Sequence, residues 1–171
     1  MPLSPWLLLA IAALTMAPSA QAQVREQVRE QTPGWTTFVI PEYGTRVEYP
    51  AGIFVPTGDP EKGTGRRFDT TDGRARLSVY ARDNDAGDTP AAYVGKNLRV
   101  QRNALDYQRI APSFFAISME RDGLIYYSRC NFSRAGSRAI HCFDLVYPQA
   151  EKRAWDAVVT RISLSLRPLE G

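Results

Sequence analysis

The chain's two cysteines flank a single turn, and their placement constrains the fold more than any other feature of the sequence. Cys130 and Cys142 are equally far from Gly136, so a hairpin that turns at Gly136 places them directly opposite each other. Directly opposed residues of antiparallel strands have Cβ atoms roughly 4.5–5.5 Å apart, which allows a disulfide after slight adjustment. The sequence therefore predicts a β-hairpin that is closed by a Cys130–Cys142 disulfide.

The only histidine, His141, directly precedes Cys142. A zinc site needs four ligands, or three and a water, and one histidine with two cysteines and no CxxC pair does not supply them. A Cys–His nucleophilic pair needs a thiolate beside the imidazole, but neighbours on a strand point to opposite faces. We interpret His141 as a strand residue that faces Asn131, and we predict no catalytic residue, no metal ligand and no cofactor.

The N terminus has the pattern of a secretory signal peptide. Residues 6–14 form an uninterrupted apolar run, shorter than the about 20 residues of a membrane-spanning helix, and an A-x-A cleavage site ends at Ala22. No Lys or Arg precedes this run, so an uncleaved anchor and a wrongly assigned start stay open as alternatives. We predict a signal peptide at residues 1–22, a flexible leader at 23–34, one domain at 35–167 and a tail at 168–171.

This start predicts a periplasmic or secreted bacterial protein. An oxidising compartment agrees with the predicted disulfide, because such bridges form and persist outside the reducing cytosol. Later in the chain no stretch is apolar enough to span a bilayer, so we predict no membrane span.

The charges are mixed along the chain, with 21 Lys and Arg against 18 Asp and Glu. Because the two signs alternate and do not cluster, the sequence does not indicate nucleic-acid binding. The predicted hairpin nevertheless carries Arg129, Arg134 and Arg138. We interpret them either as a solvated turn or as a contact for a protein or an anionic component of the cell envelope.

Hydrophobic periodicity predicts an α+β fold with a mainly antiparallel sheet flanked by helices, in a single domain. One helix begins at Asp88-Thr89-Pro90 and runs towards Leu105, and residues 51–65 form a loop. Apolar residues at steps of three and four predict a C-terminal amphipathic helix; they are Trp155, Val158, Val159, Ile162 and Leu166. The predicted strands are residues 36–40, 45–49, 67–70, 75–80, 107–110, 113–119, 124–132 and 139–147.

Several of these segments resemble the PsbP-like α/β/α sandwich proteins. The matching pieces are RVEYP from Arg46, RRFDTTDGRARLSV from Arg66, and FDLVYP from Phe143 followed by the helix that ends near ISLSL. The resemblance departs after the first Tyr-Pro, where Ala51 and Gly52 follow and not a tryptophan. It implies a sandwich fold and a binding or accessory role, and it assigns no catalytic residue.

We therefore expect an exported, non-enzymatic binding or accessory protein of a bacterial envelope. One alternative is an envelope hydrolase that acts through two carboxylates, although no spacing singles out a pair. Another is a small-ligand carrier with an aromatic pocket, against core packing of the same rings. The candidate carboxylates are Glu48, Asp69, Asp72, Glu120, Asp122 and Asp144. The candidate aromatic residues are Phe114, Phe115, Tyr126, Tyr127, Phe132, Phe143 and Tyr147.

Overall fold

The structure is a computed structural model, and it describes residues 34–97, 105–133 and 138–168. The predicted signal peptide, residues 23–33 of the predicted leader, Arg134 and residues 169–171 lie outside the described residues. The described residues all belong to one unit of the chain, Pro33–Gly171, and they form a single α+β domain.

Within the described residues the chain forms ten β-strands, two α-helices and two single-turn 3₁₀ helices. The strands are β1 (Trp35–Ile40), β2 (Thr45–Pro50), β3 (Phe54–Gly58), β4 (Thr64–Thr70), β5 (Arg76–Asp83), β6 (Tyr107–Ala111), β7 (Phe114–Arg121), β8 (Leu124–Phe132), β9 (Ala139–Pro148) and β10 (Arg167–Pro168). The α-helices are α1 (Pro90–Asn97) and α2 (Lys152–Ser165), and the 3₁₀ helices are Pro41–Tyr43 and Gln149–Glu151.

The described strands form two sheets. The large sheet has the order β3-β4-β5-β9-β8-β7-β6, and the small sheet has the order β1-β2-β10. Neighbouring strands pair antiparallel in both sheets, which confirms the predicted fold class. In the β8–β9 hairpin, Cys130 lies opposite Cys142 and Asn131 lies opposite His141, so the predicted register is confirmed.

Alternation along the strands divides the side chains of the large sheet between two faces. Odd-numbered residues of β8 and β9, such as Tyr127 and Phe143, share a hydrophobic cluster with helix α2, and we call their side the α2 face. Even-numbered residues, such as Cys130 and Cys142, share a cluster with Tyr93 of helix α1, and we call their side the α1 face.

The larger hydrophobic core lies between the α2 face, the small sheet and helix α2. The predicted stripe of helix α2 is buried there through Trp155, Val159 and Ile162. Trp155 stacks on Tyr147 of β9 with ring centroids 5.3 Å apart. Burying one such large apolar side chain contributes about 1.5–3 kcal/mol, so tertiary packing, more than helix propensity, holds α2 in place.

Helix α1 covers one end of the α1 face. Thr89 caps it as predicted, because its Oγ1 accepts a hydrogen bond from the backbone N–H of Ala92 at 3.2 Å, and Pro90 begins the first turn. Tyr93 of this helix packs on Phe115 with ring centroids 5.9 Å apart. Farther along the same face, Tyr126 and residues around it are only partly buried.

One prediction of local structure is wrong, and another falls largely outside the described residues. The predicted loop at residues 51–65 contains β3, an edge strand of the large sheet. Pro56 lacks a backbone donor, and an edge strand tolerates this because one of its sides has no partner strand. The described part of helix α1 runs to Asn97 and Leu105 is not helical, while the predicted continuation of the helix through residues 98–104 lies outside the described residues.

Candidate functional site

A cavity opens on the part of the α1 face that lies beyond helix α1, and we call it the Asp144 cavity. Its volume is about 300 Å³, at the lower end of the range for ligand pockets. Strands β5, β7, β8 and β9 supply most of its wall, and the loop before β4 supplies the rest. Its lining includes Glu61, Lys62, Arg76, Ser78, Tyr80, Ile117, Met119, Tyr126, Ser128, Asp144 and Val146.

Strand pairing builds the centre of the cavity. Asp144 of β9 lies opposite Ser78 of β5 on one side and opposite Ser128 of β8 on the other. Ser128 in turn lies opposite Ile117 of β7, so the four side chains form one row across the sheet. Because both neighbours of Asp144 are serines, the row leaves free space beside the carboxylate.

Asp144 is a partly desolvated carboxylate. Its Oδ1 accepts a hydrogen bond from the Ser128 hydroxyl at 2.6 Å, and its Oδ2 lies 4.0 Å from Lys62 Nζ. The side chain is 32% exposed. Desolvation raises the pKa of Asp144 above its ordinary value, although the Ser128 hydrogen bond acts in the opposite direction. Burial also raises the pKa of Tyr80, and the nearby charge of Asp144 adds to that shift.

Apolar and aromatic side chains complete the wall. Ile117, Met119 and Val146 supply aliphatic surface beside the polar row. The ring of Tyr126 lines the cavity, and the guanidinium of Arg121 lies over that ring at 5.3 Å from its centroid. An apolar wall with a few convergent polar groups is the usual composition of a small-molecule site.

The six candidate carboxylates do not meet at this site. Asp69 lies on the same sheet face, but its Oδ1 pairs with Arg76 Nε at 2.9 Å. Burial raises the pKa of Asp69, but hydrogen bonds from Thr57 and Arg76 outweigh this effect and hold the pKa below its ordinary value. Glu48 pairs with Arg161 at 3.1 Å on the other side of the domain. The remaining three lie in turns or at a strand end: Asp72, Glu120 and Asp122. Of the six, only Asp144 lines the cavity.

A further carboxylate, that of Glu61, also lines the cavity and was missed by sequence reasoning. Its loop has no periodic pattern from which a direction could be inferred. A signal for Ser128 was present, since Ser128 and Asp144 are equally far from Gly136 and must face each other in the predicted hairpin. No sequence pattern indicated that Ser78 lies beside Asp144, because β5 and β9 are distant in sequence.

The structure separates the candidate arginines. Arg129 lies on the α2 face, where its Nη1 donates a hydrogen bond to Ser163 Oγ of helix α2 at 3.0 Å. Arg138 is exposed just before β9, near the end of the hairpin, and Arg134 lies outside the described residues. Arg129 and Arg138 therefore do not form one cluster.

The candidate cysteines and most candidate aromatic residues are structural. Cys130 and Cys142 are buried and joined, with sulfur atoms 2.01 Å apart, and neither lines the cavity. Tyr126 lines the cavity, and Phe114 lies on the opposite face beside Arg129. The other rings belong to the hydrophobic clusters: Phe115, Tyr127, Phe132, Phe143 and Tyr147.

In residues 34–97, 105–133 and 138–168, no three His, Cys, Asp or Glu side chains are arranged to hold a metal ion. In the same ranges no helix combines the length and the apolar character needed to cross a membrane.

These features define a class, an α/β/α sandwich with a solvent-accessible cavity on one sheet face whose mostly apolar wall carries a few polar groups. The structure is similar to the solution structure of cyanobacterial PsbP (CyanoP) from Synechocystis sp. PCC 6803, with a TM-score of 0.60. The match covers 81% of this chain and 95% of that chain at 12% sequence identity, so the fold is PsbP-like, as the sequence resemblance implies. No protein-family model matches the sequence, and no curated protein matches it.

Proposed function

We propose that this chain is an exported, non-enzymatic binding protein of a bacterial cell envelope that holds a small polar ligand in the Asp144 cavity. The observation that carries the proposal is the Asp144 carboxylate, partly desolvated and accessible at the centre of a ligand-sized cavity. A carboxylate in this position is stabilised by any ligand that donates a hydrogen bond to it, because removal from water costs it free energy.

The lining favours a ligand that carries an amine or hydroxyl group. Asp144 already accepts one hydrogen bond from Ser128, but a carboxylate has acceptor capacity for more. Lys62 is a weak competitor, since its ammonium lies 4.0 Å away and its side chain is half exposed. Ile117, Met119 and Tyr126 offer apolar contact to the remainder of the ligand.

Export is proposed from the first 22 residues and from the disulfide together. The apolar run and the A-x-A site have the pattern of a cleavable signal. The buried Cys130–Cys142 disulfide is typical of proteins that fold in an oxidising compartment. The two observations are independent, and both support a periplasmic or secreted location.

The test is a thermal-shift titration of glucosamine, N-acetylglucosamine, putrescine and glycerol against the wild-type protein and Asp144→Asn. We expect at least one probe to raise the Tm of the wild type and to bind Asp144→Asn about tenfold or more weakly, because a charge-assisted hydrogen bond is lost. Asp122→Asn, in the exposed β7–β8 turn, is the matched control and should bind like the wild type. A wild type without response, or an Asp144→Asn response equal to it, would contradict the proposal.

A hydrolase is the second candidate, and the raised pKa of Asp144 is the observation that favours it. A carboxyl group that stays protonated nearer to neutral pH can act as a general acid, and Glu61 lines the same cavity. The two functions separate on cell-wall glycan fragments. Turnover that is lost in Asp144→Asn, and in Glu61→Gln, while Asp122→Asn keeps it, would establish the hydrolase and exclude the non-enzymatic role.

A further inference from the structure

A second groove lies on the α2 face, on the opposite side of the large sheet from the Asp144 cavity. It runs between helix α2 and strands β6 to β8 and has a volume of about 430 Å³. We call it the arginine groove and define it by Arg109 of β6, Phe114 of β7 and Arg129 of β8.

The register across three strands brings the two arginines together. Arg109 lies opposite Ala116, and Ala116 lies opposite Arg129, so a small residue separates two long cationic ones. Both guanidinium groups then converge on one ring. Their central carbons lie 5.4 Å (Arg109) and 4.6 Å (Arg129) from the centroid of Phe114.

Among the described residues, no carboxylate lies within salt-bridge distance of either arginine. The partners of Arg129 are neutral, since it donates to Ser163 Oγ at 3.0 Å and to Asn131 Oδ1 at 3.2 Å. Desolvation lowers the pKa of Arg129; the nearby Tyr127 acts in the opposite direction, and the charge of Arg109 again lowers the pKa. Asp106 and Asp156 also line the groove, but Lys152 lines it with them.

Arg109 is exposed and Arg129 is half-buried, so the two like charges repel each other across the groove, and the desolvation of Arg129 adds to the cost. An anion that contacts both guanidinium groups would offset their repulsion and would replace part of the lost hydration. The guanidinium fork matches a planar carboxylate especially well, because it can donate two parallel hydrogen bonds. The groove is also amphipathic, since Tyr107 is 46% exposed and Leu164 of helix α2 is 74% exposed along its wall.

We propose that the arginine groove binds a small organic acid, with its carboxylate between Arg109 and Arg129 and its apolar part against Phe114, Tyr107 and Leu164. This site is independent of the Asp144 cavity, which opens on the other face of the sheet. A ligand of this class needs both its charge and its apolar part to fill the groove.

The first experiment compares three probes by isothermal titration calorimetry at low salt. The probes are 2-naphthoate, the uncharged 2-naphthamide with the same ring system, and inorganic phosphate, which has charge without an apolar part. We expect 2-naphthoate to bind about tenfold or more tightly than either of the others. Equal binding of phosphate, equal binding of the amide, or no binding of 2-naphthoate at millimolar concentration would overturn the proposal.

The second experiment repeats the 2-naphthoate titration with Arg109→Gln and with the control Arg121→Gln. Like Arg109, Arg121 has its guanidinium over an aromatic ring, but this ring is that of Tyr126 on the α1 face. We expect Arg109→Gln to weaken binding about tenfold or more, since it loses a charge-assisted contact, and Arg121→Gln to bind like the wild type. Without ligand, Arg109→Gln should keep or raise the Tm, because one of two like charges is gone. Unchanged affinity in Arg109→Gln would overturn the proposal, as would an equal loss in both variants.

Discussion

His141 shows how burial decides the chemistry of a single residue. The imidazole is 1% exposed, and its Nδ1 and Nε2 lie 2.7 Å from Thr45 Oγ1 and 2.8 Å from Ser133 Oγ. Each hydroxyl can donate or accept, so a neutral ring has both nitrogens satisfied. Desolvation lowers the pKa of His141, because burial disfavours the charged ring. The residue is therefore suited to bridging the two sheets as a neutral group.

This burial predicts a loss of stability in mild acid. The folded pKa lies below the ordinary value of 6.5, so the unfolded chain takes up a proton first as the pH falls. The contribution of neutral His141 to the unfolding free energy is present above about pH 6.5 and is lost as the pH falls towards the folded pKa. We expect the urea-unfolding free energy to decrease between pH 7.5 and 5.5, and to decrease less in His141→Gln. An equal decrease in both proteins would contradict the assignment, since Asp144 and the other carboxylates titrate in both.

The β8–β9 hairpin is the element on which most of the domain depends. Its odd-numbered side chains enter the larger core, and its even-numbered ones include the disulfide beneath Tyr93. The same strands carry Asp144 to one face and Arg129 to the other. The hairpin therefore positions both proposed sites without the disulfide taking part in either.

For this element we predict a structural disulfide. Replacing Cys130 and Cys142 by Ala should lower the unfolding free energy by about 2–4 kcal/mol, because a short closed loop restricts the unfolded chain. Urea titration of the double variant measures this, and reduction of the wild type with dithiothreitol is the matched control, expected to lose a similar amount. Binding of 2-naphthoate should survive where the variant stays folded. A titratable thiol in the native protein, with stability barely changed by substitution, would instead indicate a reactive cysteine.

At the scale of the whole molecule, the two sheet faces are covered unequally, and this leaves both proposed binding surfaces accessible. The described part of helix α1 has eight residues and packs over one end of its face, and the Asp144 cavity lies beyond it. Helix α2 and the small sheet pack on the other face, and the arginine groove follows the edge of α2. This PsbP-like sandwich thus has two solvent-accessible cavities on opposite sides of one sheet.

Export is a prediction at the scale of the whole molecule, because removal of the signal peptide shortens the whole chain. We expect the intact mass of the protein from periplasm or medium to begin at Gln23, since the A-x-A site ends at Ala22. A variant with Ala20→Leu and Ala22→Leu should retain the signal, because cleavage needs small residues at these positions. The full-length mass in the cytoplasm would contradict the prediction and would remove one support of the disulfide.

Much of the fold followed from local patterns. The symmetric cysteines about Gly136, the strand alternation and the three-four stripe of helix α2 each depend on residues close in sequence, and the structure has the hairpin register and helix that they predict. Strand β3 was missed because Pro56 and Gly58 contradict strand propensity, and only its place at the sheet edge makes them tolerable.

Both proposed sites, by contrast, were decided by tertiary structure. Ser78 lies beside Asp144 only because β5 pairs with β9, and Arg109 meets Arg129 only because Ala116 lies between them in a three-strand row. Sequence periodicity determines which residues of one strand share a face, but not which strands become neighbours. The sequence by itself therefore determined the hairpin, its cysteine pairing and the fold class. Strand order decided which polar groups face each other, because side-chain contacts across a sheet depend on pairing between segments that are distant in sequence.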